Sequence, residues 1–310
     1  MEKSVLITGA TGGLGYKSAL ALAAEGFHVF VGGRRPQAVG SVVEEIIMTT
    51  RGTASPFLAD LSDLDQVRIA VQNLGERNLT AVVANAGISL DRYLESAQGY
   101  ELTFAVNVLS HHLLFNLLRD HIEDRIVIVS SGVHDPDNKL ARRSGVPAPR
   151  WVGAEAVARP QEAEPGKRID DTRLCYSNSK LANVLQAREL QRRSKLAGRQ
   201  VDVFAIDPGL MVDTDFARSY SAMVRGMVRI LGTIATPFVD NMRSSTTTAR
   251  HVTRLVTDDR LSGTGFQYFD GDKAQPPSLD AQRDDYARTL WTDANRLVRL
   301  NDGEEAFTAS

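Results

Sequence analysis

The sequence has little that would suit a disulfide framework, a membrane span or a nucleic-acid surface. Among its 310 residues there is one cysteine, Cys175, which excludes an intrachain disulfide and a cysteine-rich zinc site. A formal net charge of -2 gives no general attraction for nucleic acid. No apolar run reaches the roughly 20 residues that a helix needs to cross a bilayer. No signal-like segment precedes Ser4. We therefore expect a soluble, cytoplasmic protein with at most peripheral membrane contact.

What the sequence does have is a regular alternation of short apolar runs and helical segments. Glycines or other turn residues bound the runs, as is typical of buried parallel strands. The runs expected to form strands are Ser4–Thr8, Phe27–Val31, Ala54–Leu58, Thr80–Ala84, Arg125–Val129, Val201–Ile206 and Gly265–Phe269. This order predicts an α/β fold, a single Rossmann-type doubly wound parallel sheet with helices on both faces. One domain is expected over residues 1–310.

Two stretches interrupt the alternation. Residues 132–171 are polar and contain five of the 11 prolines of the chain, which predicts a surface insertion before the next helix. The second stretch, Arg218–Ile234, has apolar residues at helical spacing. It is interpreted either as a helix on the core or as a substrate lid at 215–240, since methionines adapt to irregular apolar shapes. A helix lying on a membrane surface is a third interpretation.

A glycine-rich segment follows the first expected strand. Thr8 precedes Gly9, Gly13 and Gly15, and such a turn between a strand and a helix lets the backbone approach the pyrophosphate of a dinucleotide. At the end of the second strand, an NAD enzyme usually has an acid for the ribose 2′-hydroxyl. This chain has Arg34 and Arg35 there, and guanidinium groups favour a 2′-phosphate. The sequence therefore predicts NADP(H), the alternative being a solvated pair of surface arginines.

Tyr176 and Lys180 are four residues apart in an expected helix, so they share one face. A cation beside a phenol favours its ionised form, so the tyrosine can exchange a proton with an alcohol or carbonyl near neutral pH. The glycine-rich turn supplies what this proton chemistry lacks, a site for a cofactor that carries hydride. Together the two features predict a nicotinamide-dependent oxidoreductase.

Jointly these motifs resemble the short-chain dehydrogenase/reductase family. Its motif order is matched, over residues 1 to about 215, by Thr8-Gly-x3-Gly-x-Gly, Asn85-Ala86-Gly87, Asn107, Ser131 and Tyr176-x3-Lys180. The resemblance implies that Tyr176 is the general acid/base and that Lys180 lowers its pKa and holds the nicotinamide ribose. Ser131 would bind the substrate oxygen, and Asn107 would support a water in the proton relay. Ser130 is the alternative candidate for the serine.

The same resemblance implies a set of cofactor-binding residues. Asp60 resembles the acid that contacts the adenine, and Pro208 and Gly209 resemble the loop on the nicotinamide side. The full set is Thr8, Gly9, Thr11, Gly13, Leu14, Gly15, Arg34, Arg35, Asp60, Leu61, Asn85, Ala86, Gly87, Tyr176, Lys180, Pro208 and Gly209. No metal site is expected. His111 and His112 are interpreted as packing or surface residues, and His134 as a neighbour of the substrate pocket.

The sequence around Tyr176 is similar to the retinol dehydrogenase and protochlorophyllide reductase branch of the family, which accepts bulky lipophilic substrates. The resemblance implies an NADPH-dependent reductase of a ketone or aldehyde, reversible toward the alcohol. Two alternatives are reduction of an activated C=C bond and a catalytically silent NADP(H)-sensing protein. In many family members the catalytic helix packs against a second subunit. The insertion could cover that face, so a monomer or a homodimer is expected.

Overall fold

The computed structural model describes residues 3–143, 145–211 and 242–307 of the chain. The seven expected strands are present, with ends that differ by a few residues, as β1 Ser4–Ile7, β2 His28–Gly33, β3 Thr53–Leu58, β4 Leu79–Ala84, β5 Ile122–Val129, β6 Asp202–Asp207 and β9 Gln267–Asp270. Three short strands were not expected: β7 Leu210–Met211, β8 Met242–Arg243 and β10 Lys273–Gln275.

Eight of these strands form one sheet in the order β10-β9-β6-β5-β4-β1-β2-β3. All neighbouring strands of this sheet are parallel except β10, which runs antiparallel to β9 at one edge. Strands β7 and β8 pair separately, in parallel. The predicted doubly wound parallel sheet is confirmed. Because the strands run in one direction, the chain segments that follow β1, β4, β5 and β6 meet at one edge, where such sheets bind ligands.

Helices cover both faces of the sheet. They are α1 Gly13–Ala24, α2 Pro36–Thr49, α3 Leu64–Leu74, α4 Leu102–Phe104, α5 Ser110–Leu117, α6 Lys139–Arg143, α7 Ala154–Ala158, α8 Thr172–Leu196, α9 Ser245–Thr257 and α10 Asp284–Leu297. A π-helical turn, Ala105–Leu109, joins α4 to α5. Side chains alternate between the faces: in β1, Val5 and Ile7 belong to the core under α1, α2 and α9, whereas Leu6 belongs to the core under α3, α5 and α8.

Two helices differ from the expected pattern. The sequence predicts one long helix over Gln98–Leu118, but the observed helical stretch begins at Leu102, because the buried Glu101 carboxylate accepts hydrogen bonds from the amides of Thr103 and Phe104 at 3.0 and 2.7 Å. Helix α9 is not among the predicted helices, since its first residues are Ser and Thr, which have low intrinsic helix propensity. The Ser244 hydroxyl caps it by accepting from the Thr247 amide at 3.1 Å.

The insertion at 132–171 is not confined to the surface. It contains a 3₁₀ turn at Gly132–His134 and the short helices α6 and α7. In α7, Ala154, Val157 and Ala158 have 0% of their surface exposed and belong to the core beside α8 and α10. The expectation of a surface segment is therefore wrong for α7, although the charged residues that follow it at 162–168 are exposed. The proposed lid at 215–240, with Arg218–Ile234, lies outside the described residues.

Candidate active site

Helix α8 brings Tyr176 and Lys180 to the carboxyl edge of the sheet. The helix begins after Asp171, whose carboxylate accepts a hydrogen bond from the Arg173 amide at 2.9 Å. The Lys180 ammonium lies 5.8 Å from the centroid of the Tyr176 ring and donates to the carbonyl of Val129, the last residue of β5, at 3.0 Å. Only 4% of Lys180 and 9% of Tyr176 is exposed. The predicted pair therefore shares a protected site.

The environment of Lys180 disfavours its charged form. Burial lowers the pKa of its ammonium from 10.5 to about 8, and the negative charge of Asp207 acts against this decrease. Asp207 is the last residue of β6 and is itself 3% exposed. Lys180 is therefore cationic at neutral pH, but it loses its proton within the experimentally accessible alkaline range.

The two candidate serines point in different directions. Ser130 is 1% exposed, and its hydroxyl donates to the carbonyl of Lys180 at 2.8 Å. Ser131 is half-buried, and its hydroxyl oxygen caps the following 3₁₀ turn through a 3.4 Å contact with the Val133 amide. Ser130 thus links β5 to α8, and this engagement leaves Ser131 as the candidate for the serine expected to face a substrate.

Asn107 lies in the π-helical turn, a distortion that is frequent at functional sites. Its side-chain amide pairs in both directions with the backbone of Ile88, at 2.8 and 3.0 Å, and also donates to the Ser179 hydroxyl at 2.9 Å. Gly87 fits between the functional groups: a Cβ there would lie 3.3 Å from Asn107 Oδ1 and 3.5 Å from Lys180 Nζ. The structure therefore brings Asn107, Gly87 and Lys180 together.

The glycine-rich turn has the backbone of a phosphate-binding loop. Gly9 and Gly13 have positive φ angles of 66° and 54°, which favour glycine. Gly15 lies so close to the Gly9 carbonyl and to the side-chain nitrogen of Asn85 that a Cβ would collide with both. The residue before α1 is Gly12, which has no side chain to cap the first amides of the helix. Those amides are the groups that would hold a pyrophosphate, so the turn fits a dinucleotide.

Thr8 and Asn85 hold this turn from inside the protein. The Thr8 hydroxyl oxygen accepts hydrogen bonds from the amides of Asn85 and Ala86, both at 3.0 Å. The Asn85 side-chain nitrogen donates to the carbonyls of Thr8 and Gly9, at 2.8 and 3.3 Å. These side-chain groups are thus engaged in shaping the turn. Thr11 and Leu14 lie on the turn itself, and a Cβ on Gly33 would meet the Thr11 side chain.

The expected adenosine end of the site lies beyond β2. Arg34 is 70% exposed in its side chain and lies 3.9 Å from the Asp60 carboxylate. Arg35 is also exposed and precedes α2 as its N-cap. The Asp60 carboxylate accepts from the amide and hydroxyl of Ser62, at 3.0 and 2.7 Å, while Leu61 packs against the core. The exposed Arg34 guanidinium and the Asp60 carboxylate therefore lie in one region, and Arg35 is the next residue along the chain.

The loop expected on the nicotinamide side follows β6. Gly209 has a positive φ of 76°, and its amide donates to the Asp207 carboxylate at 2.9 Å. The Pro208 carbonyl accepts from the Thr248 hydroxyl of α9 at 2.9 Å. Asp207 also restricts the segment after Ser131, since a Cβ on Gly132 would lie 2.7 Å from its Oδ2. Sequence reasoning did not identify Asp207, although its position directly before Pro208 was a usable signal.

Two histidines contact these residues from behind: His134, which was expected beside the substrate pocket, and His111, which was interpreted only as a packing or surface residue. His111 bridges Thr8 and Asn107. His134 lies 2.9 Å from the Ser131 carbonyl through Nδ1 and accepts from the Ser278 amide at 3.2 Å through Nε2. Both are buried, with burial lowering their pKa values. Within the described ranges no group of three metal-ligating residues could hold a metal ion, and none of the helices there is long and apolar enough to span a bilayer.

Comparison with known proteins agrees with this geometry. Residues 3–139 match the family model for short chain dehydrogenase. Retinol dehydrogenase 13 of Mus musculus is 30% identical over 312 residues, covering 96% of this chain and 84% of that protein. The chain belongs to the short-chain dehydrogenase family. The resemblance to the retinol dehydrogenase branch is also confirmed.

Two further proteins extend the comparison. The WW domain-containing oxidoreductase of Homo sapiens is 29% identical over 317 residues, covering 98% of this chain and 70% of that protein. A solved structure, described as a putative uncharacterized protein from Mycobacterium Paratuberculosis, superimposes with a TM-score of 0.71 at 27% identity. It covers 99% of this chain and is itself covered over 95% of its length. Family membership makes the chain an oxidoreductase that uses a nicotinamide dinucleotide.

Proposed function

We propose that the protein is a cytoplasmic NADPH-dependent reductase of a ketone or aldehyde on a bulky, lipophilic molecule, reversible toward the alcohol. The observation that carries the proposal is that Tyr176, Lys180 and Asn107 lie together at the carboxyl edge of the sheet, with Ser131 two residues after Val129, whose carbonyl accepts from Lys180. The names of the retinol dehydrogenase relatives support a lipophilic substrate. The lone, buried Cys175 suits a reducing cytoplasm.

The proposed mechanism divides the work among side chains of this chain. The cofactor supplies the hydride. The Tyr176 phenol gives its proton to the substrate oxygen, while the Ser131 hydroxyl donates a hydrogen bond to the negative charge that develops there. The Lys180 ammonium favours the phenolate that Tyr176 becomes. Asn107 holds the loop after β4 at Ile88 and the helix α8 at Ser179, which keeps these donors aligned.

The proposed preference for NADPH is supported by charge at the end of β2. Arg34 and Arg35 are exposed guanidinium groups, and β2 ends without an acid that would repel a 2′-phosphate. Arginine forms bidentate, charge-assisted hydrogen bonds with phosphate. Asp60, 3.9 Å from Arg34, would orient that guanidinium beside the adenosine.

A screen with NADPH separates the proposed reductase from its alternatives. Purified protein is offered ketones, aldehydes and enones, and cofactor oxidation and the products are measured. Carbonyl reduction is expected; enone products saturated at the C=C bond would favour the second activity. Tight NADPH binding without turnover of any compound would favour a sensing protein.

The Tyr176→Phe variant is the matched control for that screen. Turnover should fall by roughly 10²-fold or more, the contribution typical of general acid/base catalysis. NADPH binding should persist because the ring is retained. Turnover close to that of the wild type would remove Tyr176 from the mechanism.

A further inference from the structure

His111 lies between two parts of the site that are far apart in sequence. Its Nε2 is 2.9 Å from the Thr8 hydroxyl at the start of the glycine-rich turn. Its Nδ1 is 3.2 Å from the backbone carbonyl of Asn107, one helical turn earlier. One imidazole thus contacts the segment expected to hold the pyrophosphate and the residue expected to support the proton relay.

The available protons fix the direction of these two hydrogen bonds. The Asn107 carbonyl can only accept, so His111 Nδ1 carries the hydrogen. Nε2 of a neutral imidazole is then an acceptor, and the Thr8 hydroxyl donates to it at 2.9 Å in preference to the Val83 carbonyl, which lies 3.5 Å away. The same Thr8 oxygen accepts from the amides of Asn85 and Ala86, at 3.0 Å each. Donors therefore point one way, from the Asn85 segment through Thr8 and His111 to Asn107.

Burial keeps this arrangement neutral. His111 is 2% exposed, and burial, together with the charge of Lys180, lowers its pKa to about 4. Its ring also stacks on Phe115, with centroids 6.4 Å apart. Near neutral pH, His111 is therefore a fixed dipole with one donor and one acceptor, and it is not a proton carrier.

The next residue provides a natural comparison. His112 is 0% exposed, and burial lowers its pKa to about 4 as well. Its ring nitrogens, however, contact Asn295 of α10 at 2.7 Å and Gln186 of α8 at 3.0 Å. The two histidines thus lie on the same helix, are both buried and are both neutral near pH 7, but only His111 contacts Thr8 and Asn107.

We propose that His111 is a positioning residue that fixes the separation between the glycine-rich turn and Asn107, and so sets both cofactor affinity and turnover. The inference rests on the proposed function, because it requires this site to bind NADPH. A shift of His111 would move Thr8, which begins the glycine-rich turn and whose hydroxyl oxygen also holds the amides of Asn85 and Ala86. Asn107 carries the shift to the catalytic helix, through Ser179.

The first test determines the protonation state of His111 in the wild-type protein. Nuclear magnetic resonance of the wild type with ¹⁵N-labelled histidine reports which ring nitrogen carries the hydrogen, and the His111 signal is assigned by its loss in His111→Phe. A neutral ring with hydrogen on Nδ1 is expected at pH 7. A ring with hydrogen on Nε2, or a charged ring, would overturn the inference whether or not the protein binds NADPH.

The second test compares His111→Phe with His112→Phe. Both remove a buried imidazole, so both should destabilise the fold. Only His111→Phe should raise the dissociation constant for NADPH, by roughly tenfold, which corresponds to about 1.4 kcal/mol, and lower kcat. If the wild type binds NADPH but both variants bind it equally well, the inference is wrong while the proposed function stands. Absence of binding by the wild type would instead contradict the proposed function.

Two conservative variants separate the two contacts. The amide of glutamine reaches the position of Nε2, and the amide of asparagine the position of Nδ1. His111→Gln should therefore retain the contact with Thr8 and an NADPH affinity close to that of the wild type. His111→Asn should retain the contact with Asn107 and recover kcat more than affinity. Identical losses in both variants, equal to those of His111→Phe, would contradict separate roles for the two nitrogens.

Discussion

Lys180 is held between two opposing electrostatic effects. Burial lowers its pKa to about 8, and the Asp207 carboxylate keeps the pKa from falling further. The proposed mechanism needs the ammonium, which is present below that pKa and lost above it. We therefore expect kcat/KM for reduction to decline as the pH rises through about 8. In Asp207→Asn the opposing charge is gone, so this decline should move to lower pH. A pH–rate profile that Asp207→Asn leaves in place would contradict this origin of the decline.

The neighbouring serines allow a matched test of the oxyanion donor. Ser131→Ala removes the hydroxyl proposed to face the substrate and should lower kcat by roughly 10²-fold, as loss of a preorganised donor does. Ser130→Ala removes a hydrogen bond between β5 and α8 and should cost about 1 kcal/mol of stability. Steady-state kinetics of both variants measure kcat, and urea unfolding measures their stability. A larger loss of kcat in Ser130→Ala would reverse the assignment.

The two arginines after β2 determine cofactor preference in the proposal. Each can donate charge-assisted hydrogen bonds to a 2′-phosphate, worth about 1.5–3 kcal/mol for a bond to a charged group. Replacing Arg34 and Arg35 by alanine should raise KM for NADPH by at least roughly tenfold and change KM for NADH little. Equal kcat/KM with NADPH and NADH in the wild type would refute the preference.

At the scale of elements, the sequence predicts most securely what depends on local apolar patterning. The strands β1, β2 and β4 are nearly continuous apolar runs because both faces of the sheet are covered. Helix α9 is an exception, because it is not predicted from the sequence. Its buried Ala249, Val252 and Val256 follow helical spacing, yet its Ser- and Thr-rich start has a low helix propensity that only packing overcomes.

The site shows the same division. Tyr176, Lys180 and the glycine-rich turn could be predicted because their chemistry depends on spacing along the chain. Partners that meet only through the fold could not be predicted in this way. His111 contacts Thr8 across a separation of 103 residues, and His134 contacts Ser278 across 144. No local pattern identifies such pairs, although the i+4 spacing of Asn107 and His111 does place them on one face.

The two buried histidines of α5 should make the stability of the protein depend on pH in the acid range. Its His111 and His112 have pKa values lowered from 6.5 to about 4. The unfolded chain binds these protons below about pH 6.5, whereas the folded protein does not until about pH 4. Stability should therefore be complete above pH 6.5 and fall as the pH approaches 4, by at most about 3 kcal/mol for each histidine.

Urea unfolding at several pH values measures this slope. The wild type is compared with His112→Phe, because the carboxylates titrate in both proteins and their effect cancels. The variant should be less stable near neutral pH, and its stability should fall less steeply between pH 6.5 and 4. Parallel slopes would show that His112 binds its proton equally well in the folded and unfolded chain.

For the whole molecule, the C-terminal helix determines what surface the catalytic helix presents. Helix α10 packs along α8, and its Trp291 is 1% exposed. The Arg193 guanidinium of α8 lies 4.6 Å from the centroid of the Trp291 ring and 2.7 Å from the Glu305 carboxylate. The insertion adds α7, tied to α10 by the 3.0 Å ion pair of Glu155 and Arg296. Helix α10 thus covers an apolar side of α8, and α7 of the insertion packs beside α10.

A surface that is already covered is not available to a second subunit, so we expect a monomer. Light scattering should give the 33.9 kDa mass of one chain and should not change with concentration. Trp291→Lys places a charge against Arg193 and should loosen α10, exposing the apolar side of α8. That variant should associate as its concentration rises, whereas Arg288→Lys, at an exposed position of the same helix, should stay monomeric. A wild-type dimer that cross-links through α8 of both copies would contradict the expectation, because α10 would then have to leave the position it occupies.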